Sequence, residues 1–569
     1  MKTAESNSRL YYRIAYVLAI VSVSFSVVVA ILMVSSLLTV RTSSPLNLTE
    51  LDQLRASLRE NPTDDAVKAK IRDLDLVARR FYFAGLTSLR TGSYLLLAGV
   101  ALALACLKTM VVIKRRLPDA RHYPPSAEEL ESSAMARFVI AGTAVAIITG
   151  AIVVGLPEKP VRGTVVSSVT RLNQADAVTN WPGFRGSEGS GVSICSNLPV
   201  SWDIKTGSNI LWRANVPLPG MSSPVVWGNR VFVTGASDKK REVYCYDLAT
   251  GIRLWAGGVE SATDSVKRPM KVNGDTGFAA STPVVDGAII YSIFANGDVA
   301  AIDFCAQPIW ITDLGIPENK YGYSASLAQY GDRILVQFDA DVGKSKKSQL
   351  IALDAGTGRK AWSVDRPVPD SWPTPVVVDT ESGPQLLTVA QEWIIAYNPG
   401  TGKEIWRVKC GGSDVAPTPI YAGGLVIAAV SHDKVYAIRP NGRGDVSATH
   451  VAWRSEDGVS DVASPVSDGE LIFLANSSGT ITCLDVKNGK VIWDKSSPWE
   501  FYASPGLAGG RLYLVARNGE VIVLKAGRKY EEIGKARLGE PSDCSPAFVN
   551  GRILMRGATN LFCIGTPGG

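Results

Sequence analysis

Histidine is nearly missing: of 569 residues only three are His, and His432 and His450 are the two in the C-terminal two thirds. They share no metal-ligand spacing, and no nucleophile-elbow motif accompanies them, so zinc and Ser-His-Asp chemistry find no support. The eight cysteines include no adjacent pair. Charge of one sign is also lacking where it would matter. Residues 1–160 carry 19 Lys+Arg against 13 Asp+Glu, which accounts for the whole net charge of +6, and the remainder is balanced at 40 of each. A balanced region offers no electrostatic footprint for nucleic acid, so no such partner is expected.

Long apolar runs, by contrast, are present. Residues 14–40 form an uncharged stretch long enough to cross a bilayer, too long for a signal-peptide core and without a clear cleavage site. Further runs at 93–113 and 138–156 predict a second and a third span. Lys2, Arg9 and Arg13 precede the first span, and Lys114, Arg115, Arg116, Arg121 and Arg137 fill the second loop, which assigns 1–13 and 114–137 to the cytoplasm. Residues 41–92 and everything from the 157–180 linker onward then lie on the far side. The 41–92 loop reads as a helical hairpin. Thr49 caps one helix, Asn61 and Pro62 open another, and Val67, Ile71, Leu74 and Phe81 make an apolar stripe.

From residue 181 the chain repeats itself every 40–55 residues. Each unit opens on Ser or Thr and Pro before an apolar strand: "SSPVV" at 222, "STPVV" at 281, "PTPVV" at 373, "PTPIY" at 417, "ASPVS" at 463, "ASPGL" at 503 and "CSPAF" at 544, with "SASLA" at 324 carrying Leu327 for Pro. Four short strands per unit describe a propeller blade, and eight starts predict eight blades over 181–569. The last unit lacks a fourth strand. An orphan strand at 209–216, with Trp212 in the fourth-strand position, is placed to complete it and close the ring.

Third and fourth strands are joined by a recurrent motif. Asp247, Asp354, Asn398 and Asp485 each stand four residues before Gly251, Gly358, Gly402 and Gly489, and each Gly stands four before Trp255, Trp362, Trp406 and Trp493. The Asx side chain suits the turn, the Gly accepts positive φ, and the Trp fills the seam between blades, its N–H seeking an acceptor. Cys245, Cys483 and Cys563 occupy a slot filled by Ala301, Ala352, Ala396 and Ala437 elsewhere, so they read as small apolar filler. The pairing of Cys195, Cys305, Cys410 and Cys544 is open. Blade two is shortened, blade five has an insertion before Trp453, and blade seven has Ile533 where Trp is expected.

This pattern resembles the pyrroloquinoline-quinone-type (PQQ-like) propellers with tryptophan-docking motifs, a superfamily holding quinoprotein dehydrogenases and the assembly lipoprotein BamB. The lead-in "NWPGFRGSEGSGVS" (180–193) and the anchor resemble membrane-attached bacterial members. The resemblance implies an all-β eight-bladed propeller behind three transmembrane helices, in the bacterial cytoplasmic membrane with the propeller outside. It also implies either a binding or scaffold module for a protein or saccharide-like ligand, or a PQQ- and Ca²⁺-dependent dehydrogenase oxidising alcohols or sugars. The lean repeats favour the module, with no catalytic residues, no metal, no cofactor and a protein partner expected. The channel mouth, where fourth strands pass to the next first strand, is then the functional surface. It gathers Phe278, Tyr323, Asp370, Trp372, Asp414, Asp461, Glu500, Phe501, Tyr502 and Asp543, with Met221 and Tyr321 beside them and "DKKR" (238–241) and "KSKK" (344–347) as a basic outer rim.

Overall fold

A computed structural model describes residues 16–26, 29, 96, 99–100, 102–110, 180–260, 272–341 and 348–566. The chain divides into two compact units, Met1–Pro160 and Val161–Gly569. The expected hairpin at 41–92, the loop at 114–137, the third span and the 344–347 turn lie outside the described residues.

Residues 16–26 and 102–110 are helical. Their small side chains turn inward: Ala19, Ser22, Ser26, Ala103 and Cys106 are buried, while Val17, Ile20, Val21, Leu102 and Leu104 are about half exposed. Ser26 closes its hydroxyl onto the Ser22 carbonyl at 2.8 Å, which spares it a polar partner outside the helix. Among the described residues no helix is long and apolar enough to cross a membrane.

The described residues of the second unit are all-β and form eight sheets, antiparallel but for one added parallel strand in each of two. The first blade consists of Val225–Trp227, Arg230–Ala236, Arg241–Asp247 and Arg253–Gly258, and the next six repeat that order. The eighth takes its outer strand from the front of the repeat: Ile210–Asn215 pairs antiparallel with Asn560–Ile564, as the orphan strand predicted. Closing the ring with a strand more than three hundred residues away removes the free edge of an open array. Middle strands read as continuous apolar runs because blades stack on both of their faces. Val231, Phe232 and Val233 are all fully buried, whereas the outer Arg253–Gly258 strand is mostly exposed.

The recurrent motif is the joint between blades. Asp354 Oδ1 accepts from the Thr357 N–H (2.9 Å) and hydroxyl (2.7 Å), and Asn398 does the same for Thr401. The indoles of Trp212, Trp310, Trp362 and Trp453 lie on Gly251, Gly358, Gly402 and Gly489 of the next blade. A Cβ on Gly402, which sits at φ +72°, would come within 2.6 Å of the Trp362 ring. Trp212, Trp255, Trp310 and Trp453 donate their N–H to the carbonyls of Leu248, Phe304, Ala355 and Val486 at 2.8–3.0 Å. In every blade a bulge precedes this position, and the Trp then stands directly across from the small slot, as in Cys245↔Trp255, Ala352↔Trp362 and Cys483↔Trp493. The slot is small because an indole crosses it.

The irregular blades follow the same logic. In blade seven the Trp register is held by Gly534, not Ile533, which is the bulged residue; the slot opposite is free to be Val523. The Val200 carbonyl lies so close to Gly534 that no Cβ fits there. The insertion in blade five sends Gly444–Asp445 back to pair with Trp406–Arg407 of blade four. Trp406 is thereby fully buried and donates to the side-chain Oε1 of Gln385 at 2.8 Å instead of to a backbone carbonyl.

The lead-in segment has a role of its own. Trp181 pairs with Val226 of blade one, the Pro182 carbonyl accepts from Val285 of blade two, and Gly189 packs on Val376 of blade four. Arg185 donates to the Pro465 carbonyl of blade six, and Val192–Ser193 adds a parallel strand to Gly506–Ala508 of blade seven. Residues 181–193 thus cross the ring's axis and touch first strands on opposite sides of it. Their contacts with Val226 and Val285 lie beside the turns joining first to second strands, so they plug that end of the channel.

Candidate functional site

The Ser/Thr-Pro openings of the blades meet at the axis. Ser223 N–H donates to Thr282 Oγ1 (2.9 Å), Thr282 to Ser326 (2.9 Å), Ser326 to Thr374 (3.0 Å) and Thr374 to Thr418 (3.0 Å). Thr418 then donates to Ser464, Ser464 to Ser504, Ser504 to Ser545, and Ser545 back to Ser223, each at 3.0 Å. Eight links, one per blade, close on themselves. The following Pro holds each residue extended, away from helical φ/ψ, and blade three keeps the link although Leu327 replaces the Pro. Every hydroxyl accepts one N–H, which leaves a second lone pair and the hydroxyl proton for a ligand or water.

All eight hydroxyl residues line a cavity of about 350 Å³. Phe184 of the plug is part of its wall, so the cavity is blind at the plugged end and opens where fourth strands pass to the next blade. Above the girdle stand Met221, Tyr321, Trp372, Tyr502 and His432 among four carboxylates, Asp275, Asp414, Asp461 and Asp543.

Two cations tie the rim together. Lys320 Nζ lies 3.0 Å from Asp414 Oδ2 and 5.0 Å from the Tyr321 ring centre, while its backbone N–H donates to Asp370 Oδ2 at 3.0 Å. Tyr321 meets Trp372 edge-on at 4.9 Å, and the Trp372 indole donates to the Gly322 carbonyl at 3.1 Å. On the opposite rim Arg517 pairs with Asp275, sits 3.5 Å from Asp543 Oδ2 and 3.8 Å from Glu500, and covers the Tyr502 ring at 4.1 Å. Asp461 accepts the Ser477 N–H at 2.9 Å and the Ser477 hydroxyl. The Asp543 carboxyl titrates above the ordinary range because burial disfavours its charge and because Asp275 and Glu500 repel it, against the pull of Arg517. Asp370 is raised likewise, by burial and then by Asp341 and Asp414, against its backbone hydrogen bond. Asp543 Oδ1 is buried without a hydrogen-bond partner.

Of the ten residues expected at the mouth, Trp372, Asp414, Asp461, Tyr502 and Asp543 line the cavity. Asp370 and Glu500 reach the rim through Lys320 and Arg517. Phe278, Tyr323 and Phe501 do not contribute there. Phe501 is fully buried between blades six and seven, Tyr323 stacks on Phe338 in the core of blade three, and Phe278 packs in the seam of blades one and two. A ring-facing aromatic on a connecting loop has two apolar destinations, and alternation along an irregular loop does not separate them. Arg241 is also no part of a basic rim, being buried 3.6 Å from Asp298. Sequence reading missed Arg517 and His432, which sit on turns between second and third strands, and the girdle. The girdle's signal was in plain view, in the Ser/Thr before each Pro. All eight cysteines are free thiols, and Cys305 is the exposed one.

A quinone cofactor with its metal would call for converging oxygen ligands. Among the described residues no three His, Cys, Asp or Glu side chains come together to hold a metal. The rim carboxylates are instead spread around the mouth and engaged by Lys320, Arg517 and Ser477.

The model of a family described as outer membrane protein assembly factor BamB matches residues 196–310, 239–495 and 442–529. No curated protein sequence matches significantly. Among solved structures, quinohemoprotein alcohol dehydrogenase ADHIIG from Pseudomonas putida HK5 is similar at 12% identity and TM-score 0.53, covering 71% of this chain and 82% of that one. The quinohemoprotein alcohol dehydrogenase of Comamonas testosteroni is similar at 13% identity and TM-score 0.50, over 70% and 83% of the two chains. BamB from Moraxella catarrhalis aligns at 14% identity and TM-score 0.47, over 63% of this chain and 99% of that one. At these identities the solved structures show the fold alone.

Proposed function

The chain belongs to the family described as outer membrane protein assembly factor BamB, and from that premise we propose that it is a membrane-anchored, extracytoplasmic propeller that binds a protein partner at the cavity mouth without catalysing a reaction. One observation carries the reading. The ring is plugged at one end by its own lead-in and open at the other, where non-repeating acids and aromatics from successive blades converge. Residues that do not repeat around a ring are not needed to build it, so their convergence points to recognition. Lys320 and Arg517 are held in ion pairs with Asp414, Asp275 and Asp543, an arrangement suited to a docking surface and not to proton transfer.

Anchoring is supported by the apolar runs at 14–40 and 93–113 and by the outward apolar faces of residues 16–26 and 102–110. Large apolar side chains facing out over a small-residue interior suit a lipid environment. The lysine and arginine bias of residues 1–13 and 114–137 supports an extracytoplasmic propeller. Among the described residues no three carboxylates are grouped to hold the metal of a quinone site, and those nearest one another surround Arg517, which favours binding over dehydrogenation.

The test is a photo-crosslinking amino acid placed at Tyr502 on the mouth, or at Glu381 on a turn of the plugged face, in otherwise intact membranes. A protein adduct at Tyr502 and none at Glu381 is the expected result. Equal capture at both positions, or none at the mouth, defeats the proposal. Dye reduction with alcohols or sugars after adding PQQ and Ca²⁺ would establish the dehydrogenase in its place.

A further inference from the structure

Resting on that reading, we infer that the partner's docking element is a basic segment that delivers a lysine or arginine side chain into the blind cavity. Charge balance at the mouth argues for it. Among the described residues, Asp275, Asp370, Asp414, Asp461, Glu500 and Asp543 gather around the opening, and Lys320 and Arg517 are the cations in contact with them. Among the described residues the acids lining the cavity and its rim outnumber the cations that touch them.

The cavity's chemistry has the same sign. Asp543 Oδ1, on its wall, is a buried acceptor without a donor, and the girdle hydroxyls each keep a lone pair free. Aromatic faces complete the box. The chain's own cations already show how the mouth holds a positive group, with Arg517 over Tyr502 at 4.1 Å and Lys320 over Tyr321 at 5.0 Å, each also contacting a carboxylate. At about 350 Å³ the cavity accommodates a long, flexible basic side chain with water around it. An anionic or phosphate-bearing partner would meet the rim's repulsion, and a neutral saccharide would leave the charge surplus unanswered.

The full-length protein in detergent micelles is titrated calorimetrically with four probes: acetylated and amidated (Gly-Lys)4, (Gly-Ser)4 and (Gly-Glu)4 peptides, and maltohexaose. The lysine peptide is expected to bind, more weakly as salt rises, and the other three not to bind. Asp414→Asn with Asp543→Asn should weaken it about tenfold. Glu381→Gln with Glu470→Gln, which removes equal charge from turns on the plugged face, should leave it unchanged. Arg517→Gln should tighten binding several-fold, because it releases Asp275, Glu500 and Asp543 from an internal competitor. That gain cannot come from a damaged fold, and thermal denaturation of each variant checks the losses. Equal binding of the serine peptide or maltohexaose, equal loss from the two charge pairs, or loss on Arg517→Gln overturns the inference. A partner captured at Tyr502 alongside no preference for the lysine peptide sinks this inference and leaves the docking reading intact. Lysine-peptide binding with no partner captured at the mouth does the reverse.

Discussion

Replacing Thr374 with Val tests whether the axial girdle holds the ring. Valine keeps the shape of the side chain and the backbone N–H that donates to Thr418, but removes the hydroxyl that accepts from Ser326 at 3.0 Å. Ser326 is buried, so its N–H then faces a methyl group in place of its acceptor. Stranding a buried donor costs about 1–3 kcal/mol. Thr374→Ser keeps the hydroxyl and gives up one methyl, worth about 0.8 kcal/mol. Urea denaturation followed by tryptophan fluorescence should therefore lower the midpoint more for Val than for Ser, with the slope unchanged. Hydrogen exchange should show faster exchange at the Ser326 amide in the Val variant alone. A closed girdle further requires the same cost at Ser223, which accepts from Ser545 across the join between last and first blades. A Val variant as stable as wild type, with the Ser326 amide still protected, refutes the reasoning.

Three other outcomes follow from the structure. Ala396→Val places a branched side chain opposite Trp406 and should destabilise by about 1–3 kcal/mol through overpacking, read as a lower urea midpoint; a neutral result would deny that the slot is small because of the indole. A maleimide should modify Cys305 quickly in the folded propeller, while Cys245, Cys410, Cys483, Cys544 and Cys563, whose thiols burial pushes up to about 12, react only on unfolding; mass spectrometry of quenched samples separates the two classes. Asp370 and Asp543 are raised above the usual carboxylate range by burial first and by neighbouring carboxylates next, so the folded chain holds protons there that the unfolded chain has released. Their contribution to stability therefore grows as pH falls through the window just above about 4, and wild type should gain stability relative to Asp370→Asn/Asp543→Asn between neutral and mildly acidic pH; a relative loss over that interval would reverse the sign and the argument.

The blades were legible in the sequence because their determinants are local and repeated. Asp354, Gly358 and Trp362 lie within nine positions of one another, and each answers a steric or hydrogen-bonding demand that recurs in every repeat. Even the closing strand could be placed, since Trp212 carried the fourth-strand signature with no blade of its own in front of it. The mouth was only half legible. Trp372, Asp414, Asp461, Tyr502 and Asp543 reach the cavity as anticipated, but Phe501, one residue from Tyr502, turns into the core, and Arg517 enters from a turn that carried no motif.

Sequence alone thus determined the repeat, the number of blades, the closure and the structural meaning of the tryptophan motif, because each is signalled by residue types at short fixed spacings copied from blade to blade. Only the tertiary structure decided what the ring encloses. The hydroxyl girdle joins residues some forty to sixty positions apart, and across the final link 322 apart, and the plug lays thirteen residues across the axis. Neither is a property of one blade. Both arise when eight first strands converge on one axis, where sequence separation says nothing about distance and the lead-in chain finds first strands on opposite sides of the ring within reach.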